Sequence, residues 1–79
     1  MHRRIVTSRE ELERLIFDLL DDNDAVAWDN DTTYAFLQAM AAWLRDSDGF
    51  YRNVGEQRDP DEASWQLFAD MLQAAAVYE

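Results

Sequence analysis

The chain predicts an all-α fold, a three-helix bundle in a single small helical domain over 1–79. Three observations carry that expectation. Apolar residues recur at three- and four-residue spacing in three separate stretches, with helix-start residues ahead of each. No stretch alternates apolar and polar residues with the two-residue period of a half-buried strand. The chain also has 79 residues and no cysteine, so a small apolar core, with no disulfide framework or thiolate metal site, must hold it together.

The first helix is expected over about 9–22. Ser8-Arg9-Glu10-Glu11 fits a capping box, in which the Ser hydroxyl accepts from the third backbone N–H and the Glu reaches back. Leu12, Leu15, Ile16, Leu19 and Leu20 then share one face. Ala25-Val26-Ala27-Trp28 is short and apolar, and a minor extended segment is allowed there or at Ile5-Val6.

The second helix is expected over about 31–45, with Asp29, Asn30 and Asp31 as candidate caps. Phe36, Leu37, Met40, Trp43 and Leu44 fall within about 120° of one another on its wheel. The opposite face holds Ala35, Gln38, Ala39 and Ala42. Asp46–Asp59 contains both glycines and reads as a loop pinned to the core by Phe50 and Tyr51. The third helix is expected over about 60–78, started by Asp59-Pro60-Asp61-Glu62 with Asp59 as cap and acids in the first turn. Its expected buried side is Trp65, Phe68, Met71, Leu72, Ala75 and Tyr78. Trp28, Trp43 and Trp65 are all expected in the core.

Charge narrows the function classes. The formal net charge is −10, from seventeen acids against seven bases, and all seven bases are arginine. Such a surface repels nucleic acid and anionic membrane and attracts cationic surfaces, so direct nucleic-acid binding and membrane docking are not expected. The longest uncharged run, Thr32–Leu44, is thirteen residues, short of the roughly 20 that span a bilayer. No apolar stretch follows the charged N-terminus as a secretory signal would require, and a cytoplasmic location is expected.

The stretch DLLDDNDAVAWDND concentrates six carboxylates, Asp18, Asp21, Asp22, Asp24, Asp29 and Asp31, with no base among them. Asp18, Asp21 and Asp22 stand at the C-terminal end of the first helix, where the dipole disfavours negative charge, and they repel one another at three- and four-residue spacing. Arg14 is placed to relieve Asp18 alone. One reading is an electronegative face that docks a basic protein; the other is a solvated surface set by a salt-adapted or GC-rich genome.

Chemistry is sparsely provided for, and no enzyme activity is expected. The one histidine is His2, there is neither Cys nor Lys, and Ser8, Ser47 and Ser64 have no base nearby in sequence. A calcium loop needs oxygens at positions 1, 3 and 5, Gly at 6 and Glu at 12, and no register starting at Asp22, Asp29 or Asp46 supplies them. No catalytic residue, metal site or cofactor is assigned. A helix apolar all round must be covered all round. Thr32–Leu44 and Ala63–Ala69 together exceed what three helices can cover, so contact with another chain is expected, either a second copy in a homodimer or a partner. Ala35, Ala39 and Ala42 form one candidate contact, and Ala74 with Val77 another.

Trp28-Asp29-Asn30, Phe36-Leu37-Gln38-Ala39-Met40-Ala41-Ala42-Trp43, Trp65 with Phe68-Ala69, and the closing Tyr78-Glu79 together resemble an uncharacterised bacterial family of small acidic proteins. Its pattern is W-[DE]-N…F-L-x-A…A-W followed by W-x-x-F-A…Y-E. The resemblance covers about 25–79 and leaves the first helix generic. It implies no activity; a place near toxin–immunity loci would imply an interaction role. The leading expectation is thus a non-enzymatic inhibitor or immunity-type protein that docks a basic partner through the six aspartates. The alternative is a structural subunit or homo-oligomer whose acidity is environmental.

Overall fold

The structure, a computed structural model, describes residues 3–21 and 32–76, with Asp21 described in its backbone only. It is an all-α three-helix bundle of α1 (Arg9–Asp21), α2 (Thr33–Asn53) and α3 (Trp65–Ala75), with no strand among the described residues. The segment at 25–28 lies outside the described residues.

α1 begins where the cap predicts. Ser8 Oγ accepts from the Glu11 N–H at 3.2 Å. The returning half of the box is displaced by one residue: Glu11 Oε2 accepts from the N–H of Thr7 at 2.8 Å, and not from that of Ser8. Leu15 is buried, flanked by the half-buried Leu12 and Leu19, against Val6 and Ala69. Ile16 and Leu20, expected on the same buried face, are exposed.

α2 departs most from expectation. Its cap is Thr32, whose hydroxyl accepts from the Ala35 N–H at 3.1 Å, and it runs eight residues past Arg45, through Gly49, to Asn53. The segment read as a loop from its glycines is mostly helix. Glycine in a helix interior costs only about 0.5–1 kcal/mol. Continuing the helix carries the stripe Trp43–Ser47–Tyr51 into the core, and burying an aromatic of this size contributes about 1.5–3 kcal/mol. Burial outweighs propensity here. The glycine that does end the helix is Gly55, at φ +76°, the left-handed conformation that favours glycine. Its N–H donates to Arg52 O at 3.2 Å, and Glu56 N–H donates to Tyr51 O at 3.0 Å.

α3 starts five residues later than the Asp59-Pro60 signature suggests. Asp59 Oδ1 accepts from the Asp61 N–H at 2.9 Å and Asp59 O from the Glu62 N–H at 3.0 Å, so this aspartate closes a turn and does not cap a helix. The cap is Ser64, whose Oγ accepts from the Leu67 N–H at 3.0 Å.

α3 packs on both other helices, and α1 and α2 make no contact among the described residues. The core therefore divides in two around it. On one side Leu67, Met71 and Ala74 meet Trp43 and Tyr51 of α2. On the other, Ala69 meets Leu15 of α1 and Val6. A third stripe, Gln66, Asp70 and Gln73, is buried and polar. The fourth, Trp65 and Phe68, is exposed, contrary to the expectation that these two aromatics lie in the core.

Candidate functional site

The polar stripe of α3 fastens the N-terminal segment, residues 3–7, to the bundle. Gln66 Oε1 accepts from the Val6 N–H at 2.7 Å, while Gln66 Nε2 donates to Arg4 O at 2.7 Å. One side-chain amide thus takes a C=O and the N–H two residues on, as a residue of a parallel neighbouring strand would. Gln73 Oε1 accepts from the Arg4 N–H at 3.2 Å, and its own amide donates to Ala69 O at 3.0 Å. No strand pairs with this segment among the described residues, and the glutamines of α3 supply the hydrogen bonds a sheet partner would.

Asp70 lies at the centre, its side chain wholly buried. Oδ1 accepts from Arg3 Nε at 2.9 Å and Gln66 Nε2 at 2.9 Å; Oδ2 accepts from Arg3 Nη2 at 3.0 Å and Tyr51 Oη at 2.9 Å. A carboxylate offers about four acceptor positions, and all are filled, as a buried charge requires. Arg3 also pairs with Glu56, which Arg58 contacts in turn. The pairing with Asp70 and then Glu56 raises the Arg3 pKa above its ordinary value. The bonds from Arg3 hold the Glu56 carboxyl below its ordinary range. Burial, followed by the bond to Asp70, pushes the Tyr51 phenol up. With its acceptors saturated, Asp70 has no free lone pair to take a substrate proton; it is a junction joining residue 3, α2 and α3.

Beside this junction opens a groove of about 710 Å³ between residues 5–7 and the start of α3. Ile5 (67 % exposed), Trp65 (43 %) and Phe68 (47 %) line it, with Glu56 and Arg58 at its edge. A second hollow of about 370 Å³ shares Glu56, Arg58, Ala63 and Ser64 with the first and adds Asp59 and Glu62. An apolar groove thus runs into a hollow edged by acids.

The residues singled out from sequence are dispersed. Asp18 is exposed and pairs with Arg4 Nη1 at 2.5 Å; its partner comes from the N-terminal segment, and not from Arg14 on its own helix. Asp21 ends α1, and Asp22, Asp24, Asp29 and Asp31 lie outside the described residues. Ala39 and Ala74 are buried by the chain's own packing, Ala35 and Ala42 are half-buried on α2, and Val77 lies outside the described residues. Trp43 is core, as expected, and Trp28 lies outside the described residues. Among the described residues no three His, Cys, Asp or Glu side chains are grouped to hold a metal ion, and no helix is long and apolar enough to cross a membrane.

Sequence reasoning passed over Arg3, Gln66 and Asp70, and it placed Tyr51 in the core, where it is, without its bond to Asp70. A signal for two of them was there: Gln66, Asp70 and Gln73 recur at i, i+4 and i+7 in a helix otherwise almost wholly apolar. Nothing in the sequence marked Trp65 and Phe68 as exposed.

Residues 8–79 match the model of a family of unknown function, DUF7660, and the chain belongs to that family. The match includes α1, which the resemblance seen in the sequence had left out. No curated protein and no solved structure matches the chain.

Proposed function

From a family without an assigned activity, we infer that this protein works by binding another protein, without catalysis, and that the groove beside the Asp70 junction is where it binds. One observation carries the reading: Ile5, Trp65 and Phe68 stay exposed around a single groove. Full burial of such a side chain contributes about 1.5–3 kcal/mol, of which roughly half remains to be gained at each, and a contiguous apolar patch with a polar rim marks an interaction site more often than it marks idle surface. The net charge of −10 favours a basic partner by raising the rate of encounter. An immunity-type inhibitor of a basic bacterial protein, acting in the cytoplasm, is the sharpest form of this reading. In it the aspartates from Asp18 to Asp31 supply long-range attraction and the groove supplies contact.

The test is capture from the native lysate at low salt. Three baits are compared: wild type, the double variant Trp65→Ser/Phe68→Ser, and a chain with Asp18, Asp21, Asp22 and Asp24 changed to Asn. The expected outcome is a specific protein held by wild type, lost by the double variant, and released from the charge variant at a lower salt concentration. Equal capture by wild type and the double variant would refute the groove.

A second reading has its own observation. Phe17 and Leu20 of α1 and Tyr34 and Leu37 of α2 are also exposed, and together they favour a homodimer. Sedimentation equilibrium of wild type and Leu37→Glu tests it: a dimer that dissociates in the variant supports it, and a monomeric wild type rejects it.

A further inference from the structure

The binding reading leaves open what kind of segment fills the groove, and the arrangement of charge around it narrows the choice. The apolar groove and the acidic hollow share one wall, Ala63-Ser64, and one edge, Glu56 and Arg58. The two hollows therefore form one continuous surface with two chemistries. On the apolar side stand Ile5, Trp65 and Phe68. On the other stand Asp59 and Glu62, with Asp61 exposed on the same turn; none of the three pairs with a base among the described residues. Glu56 and Arg58 are already committed, to Arg3 and to each other, and Arg58 also donates to Ser64 Oγ at 3.2 Å. The charge left uncompensated at the hollow is thus negative, and it comes from the 59–62 turn.

Resting on the binding reading, we propose that the groove takes a short segment of a partner protein that carries a large apolar side chain adjacent to a lysine or arginine. The apolar side chain lies among Ile5, Trp65 and Phe68, and the cationic one over Asp59 and Glu62. Each half answers something the chain leaves unsatisfied: exposed apolar area on one side, unpaired carboxylates on the other. A purely apolar segment would desolvate the carboxylates without a counter-charge, at a cost. An acidic segment would be repelled. The inserted segment is short because the apolar groove, about 710 Å³, has room for a few side chains.

The probe is a phage-displayed library of random dodecapeptides selected on the wild-type chain, with winning peptides resynthesised and titrated by fluorescence anisotropy. Selected sequences are expected to share an aromatic or leucine within about two residues of Lys or Arg. Phe68→Ser should weaken them about tenfold or more, the loss expected when a central aromatic contact is truncated. Glu62→Lys should weaken them severalfold and flatten the salt dependence. Both substitutions are at exposed positions, and an unchanged circular dichroism melt shows that the fold is intact. The proposal is overturned if no peptide is enriched, if the enriched peptides lack a basic residue, or if they bind Phe68→Ser as tightly as wild type. If lysate capture depends on Trp65 and Phe68 while the peptides show no basic preference, the binding reading stands and this inference falls. If capture is independent of both aromatics, the binding reading fails with it.

Discussion

α2 and α3 treat their aromatic and polar residues in opposite ways. In α2, Trp43 is 3 % exposed, Tyr51 is buried beside it, and Phe50 closes an edge-to-face cluster with both rings. In α3, Trp65 stands out to solvent while Gln66, Asp70 and Gln73 are sealed inside. The difference follows from position. Among the described helices α2 packs on α3 alone, and it buries a largely apolar stripe against it. Among the described residues α3 meets α1 and α2 and also residues 3–7, a backbone segment with no sheet partner there. Backbone N–H and C=O groups need hydrogen-bond partners wherever they are buried. The face of α3 that meets this segment must therefore be polar, and the aromatics fall on the remaining face. Amphipathicity predicts which residues lie inside only when what lies opposite is apolar.

The sharpest test of this contrast substitutes the two tryptophans in turn. Trp43→Ala empties the α2–α3 core and is expected to cost about 3–5 kcal/mol in urea denaturation. Trp65→Ala removes a half-covered ring and should cost clearly less, about 1 kcal/mol. Equal costs would mean that Trp65 is covered and that the groove is not a free surface.

Next in size is the junction. Asp70→Ala leaves Arg3, Tyr51 and Gln66 facing a void. Breaking a buried charge pair costs about 3–5 kcal/mol, and the loss here should lie near 3 because Arg3 is partly exposed and keeps Glu56. Amide exchange at Val6 should accelerate as the N-terminal segment loosens. A variant as stable as wild type would show that the polar stripe is incidental to the packing.

The pH dependence sharpens the comparison from the α2 side. Tyr51 ordinarily titrates near 10.0 and is held higher in the fold, by burial first and then by its bond to Asp70. The unfolded chain therefore releases this proton first. The contribution of Tyr51 is complete below pH 10 and declines as the pH rises above it. Glu56 behaves in the opposite sense: Arg3 holds its pKa below 4.5, so its contribution is present above that value and is lost as the pH falls through the folded value. Urea midpoints followed against pH should show the alkaline decline flattened in Tyr51→Phe and the acid decline reduced in Glu56→Gln. An unaltered profile in either variant would remove that residue from the junction.

The smallest expected effect is at Gly49. A Cβ there would meet only the Arg52 guanidinium at 3.9 Å, so Gly49→Ala should stabilise α2 by about 0.5–1 kcal/mol. Destabilisation in the thermal melt would contradict a continuous helix through residue 49.

What was legible in the sequence was local. The Ser8 cap, the span of α1 to within a residue, the burial of Leu15, Trp43 and Met71, and the all-α class all follow from spacing and capping, which act over a few residues. The two misplaced boundaries follow from the same limitation. Gly49 reads as a break because propensity favours one by about 0.5–1 kcal/mol, which the burial of Tyr51 exceeds. Asp59-Pro60 reads as a start, although its aspartate closes a turn and Ser64 caps the helix.

The sequence by itself determined how many helices there are, where the first one starts, and that the surface is strongly anionic; these depend on short-range periodicity and on formal charge. Only the tertiary structure decided which side of α3 faces inward. Arg3 lies 67 residues from Asp70, and Val6 lies 60 from Gln66. No local pattern encodes those pairings. Their cost in loop closure is met only once α1 and α2 have placed the N-terminal segment against α3, and that placement leaves Trp65 and Phe68 at the surface beside the acidic turn.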